Sequence, residues 1–129
     1  MHGLSLLIWM GVIFFFSALP GNGYSDTSFL YHMERKGAHV IEYMVLMLLS
    51  VRFATALFPR EIFKRILLLA ALFSVTYGAT DELHQFFVPY RGALISDVLV
   101  DSLGVFLTGT LLWLVMKYAE TKKTDLPSK

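Results

Sequence analysis

Two stretches of this 129-residue sequence carry ionisable side chains beside long apolar runs, where a purely structural helix would have no use for them. The first is Arg35-Lys36-Gly37-Ala38-His39-Val40-Ile41-Glu42-Tyr43. At about 100° per residue, Arg35, Lys36, His39, Glu42 and Tyr43 fall within roughly 120° of one helical face. The second is Tyr77-Gly78-Ala79-Thr80-Asp81-Glu82-Leu83-His84-Gln85-Phe86-Phe87. If helical, it puts Tyr77, Asp81, His84 and Gln85 on one face with Glu82 at its flank. The turn Val88-Pro89-Tyr90-Arg91-Gly92 follows and carries one cation. Beyond it, Asp97, Asp101, Gly104 and Thr108 form a single helical stripe, opened by an N-cap signal at Ser96-Asp97.

Each group suits a definable chemistry. His39 and Glu82 are the candidate general base and acid, because burial tunes both residue types toward neutral pH. Lys36, Tyr43, Gln85, Arg91 and Asp97 are candidate ligand-binding residues. The Arg91 fork can clamp a phosphate or carboxylate in bidentate fashion, or it can pair with Asp81, Glu82 or Asp97. Glu82, His84, Asp97 and Asp101 offer a donor set compatible with a divalent metal, although an acid three residues before a His is weak evidence for one. No other cofactor is indicated. The competing interpretation is structural: the same residues form solvated helix ends and a buried ion-pair network that fixes helix packing. The sequence has no P-loop, HExxH motif or nucleophile elbow, which lowers the case for an enzyme.

The elements that must position these residues are membrane spans. The chain is 56% hydrophobic and 16% charged, with mean hydropathy +0.60. Soluble domains average about 45–50% apolar and about 25% charged. Four apolar segments are expected as helices, at about residues 4–19, 38–58, 64–87 and 97–118, leaving a polar, disordered tail over 120–129. Lipid offers the backbone no partners, so helices are the only option for such runs. The expected architecture is an all-α integral membrane protein, a four-helix transmembrane bundle in one domain spanning residues 1–119. No Lys or Arg precedes the first run, so it reads as a retained helix rather than a cleaved signal peptide. Ionisable residues at membrane depth are costly unless they face protein or water, so the His39 face should look inward. Arg52 points elsewhere and can snorkel to the interface. There is no cysteine, hence no disulfide, thiolate nucleophile or Cys-based zinc site. No Lys/Arg-rich run argues for nucleic acid.

These spacings resemble a known family. Lys36-x-x-His39-x-x-x-Tyr43, then Asp81-Glu82-x-x-Gln85 with Phe87-Val88-Pro89-x-Arg91, then Asp97 and Gly104, look like the VanZ-like family over about residues 17–109. The resemblance implies a small bacterial membrane protein, in a family whose founding member is associated with resistance to the glycopeptide teicoplanin. It marks Lys36, His39, Tyr43, Glu82, Gln85, Arg91, Asp97 and Gly104 as signature positions. Two departures stand out. The family commonly has Gly where this chain has Tyr90, and Asn where it has Asp101.

The resulting expectation is a protein of the bacterial cytoplasmic membrane that binds or processes a cell-envelope lipid or glycopeptide-type ligand at the outer face. An anionic envelope ligand and membrane lipids are the expected partners, with homo-oligomerisation compatible. The alternatives are a purely structural membrane protein and a small oligomeric transporter or channel. With four spans, Arg52, Arg60, Lys64, Arg65, Lys117, Lys122, Lys123 and Lys129 share the side of both termini. Arg35, Lys36 and Arg91 lie on the other, while the acids Asp26, Glu34, Glu42, Asp81, Glu82, Asp97 and Asp101 lean toward it. The positive-inside rule then puts both termini in the cytoplasm. A single Cys at position 90 should react with an impermeant thiol reagent on intact cells, and one at position 123 should not. The opposite labelling pattern would overturn the orientation.

Overall fold

The computed structural model describes the backbone of residues 2–20, 29–91 and 95–124, and the side chains of these except 29–34 and 124. Gly21, Asp26, Gly92, Asp125 and Lys129 lie outside the described residues, and so does the Glu34 side chain. Four helices are present: α1 (His2–Ala18), α2 (Phe29–Leu57), α3 (Phe63–Gln85) and α4 (Ile95–Thr124). Three segments are long and apolar enough to cross a membrane: Arg35–Leu57, Phe63–Gln85 and Ile95–Lys123. The 17 residues of α1 form a shorter apolar helix. At about 1.5 Å per residue it is about 26 Å long, at the lower end of what a bilayer core requires.

The helix ends differ from the hydrophobic runs in instructive ways. Helix α2 starts at Phe29, nine residues before the apolar run, because helix continues through polar residues that need not enter lipid. Helix α3 stops at Gln85 instead of Phe87. Phe87 and Val88 then donate to the carbonyls of His84 and Gln85, three residues back, which tightens the chain into a turn. Helix α4 is already helical at Ile95, so Ser96 and Asp97 lie in its first turn and not at its cap. An acid there still complements the helix dipole. At the other end α4 runs to Thr124, so residues 120–124 of the expected disordered tail are helical. Lys122 and Lys123 suit that position, since cations favour a helix C-terminus.

Polarity is distributed as lipid requires. Large apolar side chains such as Leu7, Phe15, Leu68, Leu72, Phe106 and Leu111 are exposed. Buried positions include Ser17, Ser50, Ser74, Asp81, Glu82, Gln85, Asp101 and Thr108 beside the apolar core of Ile13, Leu46, Met47 and Val105. In water such a continuous apolar exterior would be an aggregation surface. Facing acyl chains it costs nothing, while the polar groups find partners inside.

Helix α2 touches all three others, and α1 packs on α2 and α3 but not on α4. The α2–α4 pair has a definite register. Lys36 meets Asp97, His39 meets Asp101, Val40 meets Gly104 and the Thr108 hydroxyl donates to the Met44 carbonyl. Both residue numbers rise together, so α2 and α4 run parallel. Gly104 sets their separation: a Cβ there would collide with the Val40 carbonyl oxygen. On the α3 side, Tyr43 packs its ring over Gly78, with the ring edge 3.1 Å from where a Cβ would lie. Lower in the bundle the Ser74 hydroxyl lies 3.4 Å from that of Ser50. Gly104→Ala must therefore push α4 off α2. Backbone cannot yield as a side-chain tip would, so the variant should be destabilised by about 1–3 kcal/mol, read as a lowered unfolding temperature in detergent.

Candidate functional site

The four helices bring the singled-out residues to one end of the bundle: the C-terminal ends of α1 and α3 and the N-terminal ends of α2 and α4. The cluster there divides into two parts with different chemistry.

The first part is hydrogen-bonded within the protein. Asp81 is buried and accepts from the Ser17 hydroxyl at 2.6 Å and the Gln85 amide at 2.8 Å. Arg91 donates through Nη2 to the Phe16 carbonyl at 2.7 Å, placing a cation on the C-terminal turn of α1. Farther down, the Trp9 indole donates to the Glu42 carbonyl and the Tyr77 hydroxyl to the Met10 carbonyl. These four contacts fasten α1 to α2, α3 and the turn after α3. Lys36 forms a partly exposed ion pair with Asp97 at 3.4 Å.

The second part is open. His39 Nδ1 lies 3.5 Å from Asp101 Oδ1 and 3.7 Å from Glu42 Oε2. Neither Asp101 oxygen has a hydrogen bond, and neither do His39 Nδ1 and the fully buried Tyr43 hydroxyl. Asp101 sits in the field of Glu82, Asp81, Asp97 and Glu42. His39 sits in the opposed fields of the acids Asp81 and Asp97 and the cations Arg35 and Arg91. A histidine with carboxylates at Nδ1 is oriented for Nε2 to take a proton or bind a polar group. Among the described residues no serine hydroxyl is hydrogen-bonded to His39, and the buried Ser17 hydroxyl donates to Asp81.

The sequence-derived candidates thus fall as follows. His39, Glu42 and Asp101 meet between α2 and α4, and the Tyr43 side chain lies against Gly78 of α3. Glu82 is buried and engaged, and its charge reaches Asp101. Of the ligand-binding candidates, Lys36 pairs with Asp97, Gln85 donates to Asp81, and Arg91 donates to the Phe16 carbonyl of α1. Among the described residues, no three His, Asp or Glu side chains gather closely enough to hold a metal ion. His84 instead stacks on Phe14, with ring centroids 4.5 Å apart. Ser17 was not foreseen as part of the site. Its one signal was a hydroxyl on the last turn of an apolar run. Asp81 was visible on the right face but was outweighed by its neighbour Glu82.

Tyr90 explains one departure in the sequence. Its φ of 60° is left-handed, a conformation in which glycine is at ease and a tyrosine strained by about 1–2 kcal/mol. The turn needs that conformation to bring Arg91 back onto α1.

Fold and site together define a multi-helix membrane protein with a buried polar cluster at one end. The chain belongs to the VanZ/LLP1 family, whose model matches residues 3–117. No curated protein and no solved structure matches it.

The two kinds of polar contact should respond differently to mutation. Ser17→Ala strips a donor from a buried carboxylate and should cost about 1–3 kcal/mol. Lys36→Ala removes a pair open to solvent and should cost no more than about 1 kcal/mol. Thermal unfolding of both variants in one detergent makes the comparison.

Proposed function

We propose that this VanZ/LLP1-family protein binds a cell-envelope lipid or glycopeptide-type molecule at the outer face of the bacterial cytoplasmic membrane. The binding point is the open group of His39, Glu42, Tyr43 and Asp101. One observation carries this reading: buried donors and acceptors without hydrogen bonds lie beside a network in which Asp81, Gln85 and Ser17 are satisfied. Buried polar groups are ordinarily paired, and those that are not call for a bound partner or a chemical role. The excess of Lys and Arg at the opposite end supports placement at the outer face. Binding is the activity that the groups without hydrogen bonds support: among the described residues His39 has carboxylates beside Nδ1 and no hydroxyl bonded to it.

The hydrogen-bonded part supports a structural role for Asp81, Gln85 and Arg91, whose partners lie on α1 and α3. The two roles coexist at one end of the bundle.

Purified protein in nanodiscs of bacterial envelope lipid, analysed by native mass spectrometry, tests the binding reading. His39→Ala should lower retention of envelope molecules about tenfold, equivalent to about 1.4 kcal/mol, while its unfolding temperature stays near that of the parent. Equal retention by parent and variant would leave the cluster without a binding role. Expression in a teicoplanin-susceptible bacterium reads the resistance link separately, as a change in susceptibility that His39→Ala abolishes.

A further inference from the structure

We infer that the group recognised at this site is a primary ammonium, held by Asp101 with Glu42 and Tyr43; this rests on the binding reading above. The described carboxylates at this end are Glu42, Asp81, Glu82, Asp97 and Asp101, against the cations Arg35, Lys36 and Arg91. The cations are already engaged. Lys36 is on Asp97, Arg91 is on the Phe16 carbonyl, and Arg35 has a partner as well. Asp81 is satisfied by neutral donors, and Glu82 is engaged. The five acids exceed the three cations by two negative charges when all are ionised, and the ion-pair partner of both Asp101 and Glu42 is His39. An anionic headgroup would add to that excess. The site therefore calls for a cation, where the sequence alone suggested an anionic ligand.

The geometry narrows the cation further. Asp101 keeps only 3% of its side chain exposed and has two oxygens without hydrogen bonds. Tyr43 is 0% exposed, and its hydroxyl oxygen also has no partner. An independent buried polar atom thus accompanies the acids, in the field of both Asp81 and Asp101. A primary ammonium brings three N–H donors and a full positive charge on a compact head. Its three donors equal in number the two Asp101 oxygens and the Tyr43 oxygen left without hydrogen bonds, which would accept charge-assisted hydrogen bonds. A quaternary ammonium has no N–H to give. A metal ion lacks a third close His, Asp or Glu among the described residues. His39 and Glu42 retain 17% and 18% side-chain exposure, more than Asp101 or Tyr43, so the ammonium would enter past them.

The ammonium can belong to an ethanolamine-type lipid headgroup or to a free small amine. Full-length protein is placed in nanodiscs containing equal parts of phosphatidylethanolamine, phosphatidylcholine and phosphatidylglycerol, and retained lipid is identified by native mass spectrometry. In a second arm, unfolding temperature is measured in detergent with ethanolamine or choline. The expected result is retention of the ethanolamine lipid about tenfold over the choline lipid, or a stabilising shift with ethanolamine and none with choline. The first outcome assigns the lipid as the source and the second the free amine. Asp101→Asn should erase the preference, and Tyr43→Phe, which keeps the ring on Gly78, should weaken it. Retention without preference for the primary amine, a preference for phosphatidylglycerol, or a preference that survives in Asp101→Asn would overturn the ammonium assignment and leave binding intact. Retention of no lipid together with no amine shift would overturn both.

Discussion

The contact between Gly104 and the Val40 carbonyl sets the dimensions of this molecule. Packed helices commonly lie 8–10 Å apart, held off by their side chains. At Gly104 there is no side chain, and α4 rests on the α2 backbone itself. That approach fixes the register of two parallel helices, so Lys36 comes opposite Asp97 and His39 opposite Asp101. In lipid no hydrophobic force drives helices together, so small residues and internal hydrogen bonds carry association. The Thr108 hydroxyl on the Met44 carbonyl one turn farther along serves the same seam.

Helix α3 is fitted to that pair by a second small residue. Gly78 admits the Tyr43 ring, which fills the space between α2 and α3 completely. With the ring in place, Asp81 and Gln85 come one and two turns farther along the same face of α3. There Asp81 meets α1, which is attached by polar contacts as well as by the buried Leu6 and Ile13. Ser17 binds Asp81, and Phe16 offers its carbonyl to Arg91. The strained Tyr90 belongs to this arrangement, since the backbone must reverse sharply for Arg91 to reach an α1 carbonyl. Local conformational cost is accepted where a longer-range contact requires it.

A buried polar group without a hydrogen bond lowers stability. A network completed at Asp81 and left open at Asp101 is therefore informative by contrast. The same fold supplies partners for one carboxylate and withholds them from another on a neighbouring helix. The parts that hold these groups in place are the α2–α4 seam and the Tyr43–Gly78 contact.

The sequence alone determined the helical membrane architecture, because uninterrupted apolar runs in lipid admit one backbone solution. It also determined the inward face of α2 from the spacing of His39, Glu42 and Tyr43, and the closeness permitted by Gly104, because helical periodicity is a local property. Polar extensions such as residues 29–34 and 120–124 were not legible, since hydropathy reports where lipid begins and not where helix ends. Only the tertiary structure decided partners. Nothing local distinguishes Asp81, which receives Ser17 from 64 residues away, from Asp101, which receives no hydrogen bond. Nor could spacing say that Arg91 would reach a carbonyl of α1, 75 residues away in the chain. Those outcomes depend on the relative height and rotation of four helices, which are set by contacts such as Gly104 on Val40 and Tyr43 on Gly78, between residues distant in the chain.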